Sequence, residues 1–432
     1  MTNIRIGIRR EDKNEWERRV PLVPADVEEL VRREDLSFVV QPSERRAFPD
    51  ADFEKAGARL GEDLSACRLV LGVKEMPASF FREGGAYAFF AHVIKGQAGN
   101  MPMLAALLDK RCSLVDYEKI TDEAGRRLVF FGRHAGLAGM IDTLWALGDR
   151  LRRQGTRTPF AALEPAHAYA DLDAAKDAVR EAGEAIRRDG LPEALCPLVC
   201  AFAGYGHVSR GAQEIFDLLP VETIDPGAVP QLGNGSPRKV YKAVYREEHL
   251  VAPRDAGASF ALQDYYDHPE RYHPVFEKHL PRLTLVINAV YWEERYPRLI
   301  TRKALEDLFA KGETPRLQVI GDISCDVRGA CEATVCAATP GEPVYVYDPR
   351  ADETVPGTAG PGPAVLAVDN LPAELPVEAS RDFSGVLRDF VPPLARADYA
   401  SERPDLPGPL RRALIVRHGA LTPDFAYLRK HL

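Results

Sequence analysis

No stretch of this chain approaches the ~18–20 consecutive apolar residues that cross a bilayer, so no membrane-spanning helix is expected. The opening, MTNIRIGIRRED, has no apolar core ahead of its charges, so no signal peptide is expected either. Basic blocks are missing: 56 basic against 64 acidic residues leave a net charge of −8, which argues against a nucleic-acid partner. Cysteine is sparse and odd in number, at seven. Cys196 and Cys200 share one strand-like segment, and Cys325, Cys331 and Cys336 share another. There is no C-x-x-C pair and no Cys/His spacing of a metal site, so reduced thiols in a cytoplasmic protein without a metal are expected. No repeat or low-complexity tract stands out.

What remains is an ordinary globular composition, and 432 residues are too many for one simple core, so two domains are expected. Apolar runs alternate with helical patterns, which points to α/β layers. NIRIGIR, LSFVVQP, RLVLGVKE, AYAFFAHV and CSLVDYE read as strands. PADVEELVRRE reads as a helix with Pro24 in its first turn, and NMPMLAALLDKR as another with Asn100 as N-cap. Two long helices follow, HAGLAGMIDTLWALGDRLRRQG and LDAAKDAVREAGEAIRRDG, and later strands are LTLVINAV and LQVIGDIS. The Pro/Gly-rich DETVPGTAGPGPA marks a composition break before a mostly helical tail. The expected architecture is two Rossmann-like domains, each a mainly parallel sheet flanked by helices. Residues 1–134 and a C-terminal return at 365–432 form one, and residues 135–364 bind a dinucleotide.

Dinucleotide binding is expected from PLVCAFAGYGHVSRGAQEIFDLLPVETID, which reads as strand, glycine turn, helix, strand. Gly204 and Gly206 fit the first two positions of G-x-G-x-x-G, Ser209 replaces the third, and Gly211 follows. Glycine is needed where the turn is tight and where backbone approaches a pyrophosphate. The helix from His207, Val208 and Ser209 onward aims free N–H groups at that anion. The next strand ends in Asp225, about 20 residues on, where an acid holds a ribose hydroxyl. That carboxylate favours NAD, whereas Arg238 and Lys239 further along favour a 2′-phosphate.

Three strands of the first domain end in titratable groups: Lys74 and Glu75 after RLVLG, His92 after AYAFFA, and Glu118 after SLVDY. Each alone reads as a solvated strand end or a core histidine. Parallel neighbours in an open α/β sheet, however, bring their carboxyl ends to one edge, where ligands bind. Arg19, in the charged loop EDKNEWERRVPLVP, follows the first strand toward the same edge.

The segments IGIRREDKNEWERRVPLVPADVEELV, VKEMP, FFAHVIKGQAGNMPMLAALLDKRCSLVDYEKI, RLVFFGRHAGLAGMIDTL and FAGYGHVSRGAQEIF, with YWEERYPRLIT, GDISCDVRGACEAT and AVDNLPAELPVEAS, run collinearly from about residue 4 to beyond 400. Together they resemble the lysine–ketoglutarate reductase domain of aminoadipic semialdehyde synthase. The wider group takes in the lysine-forming saccharopine dehydrogenases and alanine dehydrogenase. The resemblance implies two domains flanking a cleft and a single-activity protein. It also implies reductive condensation of L-lysine with 2-oxoglutarate to saccharopine, or the reverse, with NADP(H) favoured and NAD(H) the alternative. Small molecules are then the only expected partners. By the same resemblance Lys74 and His92 are the acid–base pair, and Glu75 and Glu118 tune them. Arg19 and Arg127 bind substrate carboxylates, with Lys13 and Arg18 as secondary candidates. Asp322 or Asp326 stands near the nicotinamide ribose. Competing readings are an imine reductase or alanine dehydrogenase-like enzyme with another amine or keto acid, and a dinucleotide-binding sensor without turnover.

Overall fold

A computed structural model of the chain describes residues 4–310 and 315–432; Asn3, at the head of the first expected strand, lies outside them. The chain forms two compact units, Met1–Phe131 with Pro376–Leu432, and Gly132–Leu375. In chain order the strands are β1 (Ile4–Ile8), β2 (Leu36–Val40), β3 (Arg59–Leu60), β4 (Leu69–Leu71), β5 (Ala86–Phe89), β6 (Ser113–Asp116), β7 (Leu198–Ala203), β8 (Val221–Thr223), β9 (Val240–Tyr245), β10 (Val251–Pro253), β11 (Tyr272–Pro274), β12 (Leu285–Asn288), β13 (Val319–Asp322), β14 (Val344–Asp348), β15 (Glu353–Pro356), β16 (Ala364–Leu366), β17 (Leu414–Arg417) and β18 (Ala420–Leu421).

The first unit carries an eight-stranded sheet in the order β18-β17-β6-β5-β4-β1-β2-β3. The six N-terminal strands are parallel, and β17 and β18 add antiparallel at one edge. Its central strands are short apolar runs because both faces are covered: Leu69–Leu71 and Ala86–Phe89 are buried throughout. The winding reverses between β1 and β4, the place where open α/β sheets bind ligands. The helix Pro24–Glu34 starts on its proline, as its sequence requires, and ends at Asp35 in the left-handed region (φ +53°).

The second unit carries the sheet β15-β14-β16-β13-β12-β7-β9-β8. Alternate residues of β7 serve its two faces. Leu198, Cys200 and Phe202 pack into one apolar cluster with the helices Gly132–Arg153 and Leu172–Asp189. Val199, Ala201 and Ala203 pack into the other. The helices Gly132–Arg153 and His207–Phe216 cross so closely that a Cβ on Gly136 would stand 1.9 Å from the Val208 carbonyl oxygen. One on Gly211 would stand 2.1 Å from that of Arg133.

Two boundaries differ from the sequence expectation. The second unit begins at Gly132, with its long helix, rather than at 135. The return to the first unit comes at Pro376 rather than 365. Ala364, Val365 and Leu366 are fully buried, and their backbone groups are satisfied by pairing with β13 and β14 of the second sheet. The Pro/Gly-rich stretch before them is no linker, since Glu353–Pro356 pairs antiparallel with β14.

Candidate active site

In the first unit, Ile8, Leu71, Ala88 and Val115 stand in one row across β1, β4, β5 and β6. Three or four residues past that row come Glu11, Lys74, His92 and Glu118, so parallel pairing in register delivers four titratable groups to one edge.

Lys74 is half-buried. Burial, and after it the charge of Arg19, lowers its ammonium to about 8. Its backbone N–H and that of Val73 donate to the two carboxylate oxygens of Glu11, at 3.0 and 2.7 Å. Burial, with the charge of Glu17, pushes Glu11 itself up to about 7.

Glu75 accepts from His92 Nδ1 at 2.7 Å and from Lys13 Nζ at 2.9 Å. Burial opposes its ionisation, but these two donors prevail and hold it at about 2. An ionised carboxylate only accepts, so Nδ1 of His92 carries the proton and Nε2 is the nitrogen left for a substrate. His92 has φ +47°, a conformation that costs a non-glycine residue about 1 kcal/mol or more. Asn100 holds it there: its side chain caps no helix N–H, and instead donates to the His92 carbonyl at 3.0 Å. The ring stacks on Phe90, centroids 6.1 Å apart.

The remaining candidates divide. Arg19 is buried and donates from Nε and an Nη to the buried Glu17 at 2.8 and 2.5 Å, with its guanidinium 4.2 Å over the Phe131 ring. It acts on Lys74 through charge. Arg127 is paired to Glu118. Arg18 is exposed and donates to the Arg45 carbonyl at 3.1 Å, so it does not join the cluster.

Sequence reasoning passed over Glu11 and Asp116. The signal for both was their position at the carboxyl end of a strand. Asp116 is fully buried; Oδ1 accepts from the Glu118 N–H at 2.9 Å, and among the described residues Oδ2 has no partner within hydrogen-bond distance and geometry. Burial raises it to about 7.

In the second unit, β7 is buried from end to end and runs into Gly204, whose φ is +97° and whose would-be Cβ lies 2.8 Å from the Ala289 carbonyl oxygen. Only glycine suits that turn. Around Gly206 a Cβ would meet nothing, and the helix opens at His207, the end at which a helix turns its first N–H groups outward. Val208 packs against the core and Ser209 is fully buried, accepting from Gln213 Nε2 at 3.0 Å, so these two support the turn from behind.

Asp225, the expected ribose acid, does not follow the strand beside the glycine turn. The strand beside β7 is β9, not β8: β8 pairs only with β9, at the sheet edge. Asp225 follows that edge strand, one strand further out, and its Oδ1 accepts from the Gly227 N–H at 2.7 Å. The missed strand had a signal, the alternation in VYKAVY.

Asp322 and Asp326 also separate. Asp322 is buried, accepts from Asn288 Nδ2 at 2.8 Å and from the Thr334 hydroxyl, and is raised to about 6 by burial. Asp326 is exposed.

Beside the glycine turn lies a cavity of about 430 Å³, walled by Tyr245, Leu250, Ala289, Trp292 and Leu299. A turn open to a phosphate next to an aromatic-walled cavity fits a dinucleotide. Among the described residues no group of three or more His, Cys, Asp or Glu is placed to hold a metal.

These two sheets define the class of fold. A solved L-alanine dehydrogenase superimposes with a TM-score of 0.64 at 17% identity over 99% of both chains. A transhydrogenase from Sinorhizobium meliloti superimposes with 0.57 at 16% identity, over 97% of this chain and 100% of its own. Residues 7–138 match the alanine dehydrogenase/PNT N-terminal domain.

More particular relatives agree with one another. The chain is 40% identical to alpha-aminoadipic semialdehyde synthase of Arabidopsis thaliana, over 98% of this chain and 41% of that protein. To the mitochondrial alpha-aminoadipic semialdehyde synthase of Bos taurus it is 37% identical, over 98% of this chain and 47% of that one. To saccharopine dehydrogenase (NAD(+), L-lysine-forming) of Neurospora crassa it is 28% identical over 89% of each. The chain spans less than half the length of the semialdehyde synthases, and its similarity to them runs over 98% of its own length.

Proposed function

We propose that this chain is an NAD(P)-dependent oxidoreductase of lysine metabolism that condenses L-lysine with 2-oxoglutarate reductively to saccharopine, or runs the reverse. The observation that carries it is the Lys74 and Glu75–His92 arrangement at the strand ends of a homologue of saccharopine dehydrogenases. The substrate's ε-nitrogen bonds the keto carbon, and the former carbonyl oxygen takes up protons and leaves as water, giving an imine. The hydride that reduces the imine carbon would come from a nicotinamide held by the second unit. Lys74, lowered to about 8, exchanges a proton near neutral pH, and His92 exchanges one through Nε2. Glu75 fixes the imidazole tautomer, and Lys13 shares its charge. Gly204, Gly206 and His207 would hold the pyrophosphate, and Asp326 would be the acid nearest the nicotinamide ribose. NADP(H) is the proposed cofactor, with NAD(H), the cofactor of the saccharopine dehydrogenase of Neurospora crassa, as the alternative. A cytoplasmic location suits the seven unpaired thiols.

Loss of reduced-nicotinamide absorbance should require L-lysine and 2-oxoglutarate together. Turnover with ammonia and pyruvate, and none with lysine, would move the chain to the alanine dehydrogenase reading. Lys74→Met should lower kcat about 10²–10⁴-fold while dinucleotide binding persists; unchanged turnover would remove Lys74 from the chemistry.

A further inference from the structure

We propose that Arg246, assisted by Arg210 and His249, forms an anion subsite that reads the 2′-phosphate of NADP(H). The inference rests on the dinucleotide reading and names the residues that would select between the two cofactors.

The strand order carries it. A dinucleotide on a Rossmann sheet lays its adenine ribose over the end of the strand adjacent to the one that feeds the glycine turn. Here that neighbour is β9, paired with β7 along its whole length from Leu198↔Val240 to Ala203↔Tyr245. The first residue past β9 is therefore Arg246, where an NAD enzyme carries an acid. Asp225 sits past β8, about 5 Å further out, one interstrand spacing away.

The surroundings of Arg246 suit a phosphate. Its guanidinium lies over the Tyr205 ring, 5.1 Å from the centroid, in the loop between the two glycines of the turn. An open cavity of about 720 Å³ extends from there toward the edge strand. Arg246 and Arg210 both line it. Among the described residues neither guanidinium has a carboxylate within ion-pair distance, although most other arginines of this unit do. His249 lines it too, and its Nδ1 accepts from the Arg246 backbone N–H at 3.0 Å. Its Nε2–H is therefore a donor, and the histidine is tied to the arginine it assists. Two carboxylates share this cavity: Asp225, already bonded to the Gly227 N–H, and Glu248. The neighbouring Glu247 turns the other way, accepting from Tyr266 at 2.7 Å. A guanidinium fork stacked on an aromatic ring is the side chain best matched to a phosphate.

The test is titration of the whole protein with NADPH and with NADH, without substrates, followed by quenching of tryptophan fluorescence. The wild-type chain should bind NADPH about 10–100-fold more tightly than NADH. Arg246→Gln should bring the ratio to within about threefold while NADH binding is kept. Arg210→Gln, on an exposed helix face, should lower the ratio about 3–10-fold and guards against misfolding of the first variant. Equal affinities in the wild type, or an unchanged ratio in both variants, would overturn the subsite. So would a selective loss of NADH binding in Asp225→Asn, which would return the ribose to the edge strand. Failure of the wild type to bind either dinucleotide would instead overturn the cofactor reading on which the subsite rests.

Discussion

Lys74 and Asp116 show how burial at a strand end alters a single group. An exposed lysine titrates near 10.4; Lys74 is lowered to about 8 by burial and by the charge of Arg19, while Glu75 pulls the other way. Glu75→Gln removes a negative charge that favours the ammonium. The alkaline limb of the pH–rate profile should therefore move below pH 8, and an unmoved limb would assign it to another group. Asp116 is an acid raised to about 7 against an ordinary carboxyl near 3.9. The unfolded chain gives up this proton first, so the contribution to stability is complete below about pH 4 and is lost as pH rises through 7. Asp116→Asn, which keeps an acceptor for the Glu118 N–H, should flatten that part of the stability curve by up to about 4 kcal/mol. Denaturant midpoints at pH 4 and pH 8 check it, and parallel curves would deny the shift. The partners at this scale were mostly illegible in sequence. Lys74, Glu75 and His92 stood out as charges ending apolar runs, but nothing local announces that Asn100 holds the His92 carbonyl or that Arg19 is spent on Glu17.

At the scale of elements, the glycines divide into two kinds. Gly204 serves the turn, and Gly204→Ala combines a left-handed φ with a Cβ 2.8 Å from a backbone oxygen. It should abolish dinucleotide binding at concentrations that saturate the wild type, as read by fluorescence titration. Gly136 and Gly211 serve a helix crossing that backbone atoms close, and backbone cannot rotate aside. Gly136→Ala should cost about 1–3 kcal/mol in denaturant unfolding; a cost below a few tenths would mean that the helices part freely. The glycine turn was legible because strand, turn and helix are contiguous. The neighbour of β7 was not. Asp225 met the spacing of a ribose acid, but spacing along a chain does not say which strand inserts beside which. VYKAVY took the inner place and left VET at the edge.

At the scale of the molecule, each unit has its own sheet and its own buried clusters. A dinucleotide held by the second unit stabilises the folded form of that unit, by about 2.7 kcal/mol at 100 times Kd. Hydrogen exchange with and without NADPH should slow at Leu198–Ala203 and Leu285–Asn288 and change less at Leu69–Leu71. Equal slowing in both sheets would show that the two units open together. The long helix that opens the second unit was legible, although the unit begins at Gly132 rather than 135. The return at Pro376 was not, because a Pro/Gly-rich stretch looks the same whether it links domains or turns a hairpin.

From sequence alone come the α/β class, the two-unit organisation, the glycine turn and the titratable ends of three strands. These depend on periodicity and on residues adjacent in the chain, which local physics reads directly. Only the tertiary structure decided the strand order, the register that aligns Glu11, Lys74, His92 and Glu118, and the pairing of each charge. Those depend on contacts between residues tens to hundreds of positions apart, and such contacts are set by how whole faces bury against each other.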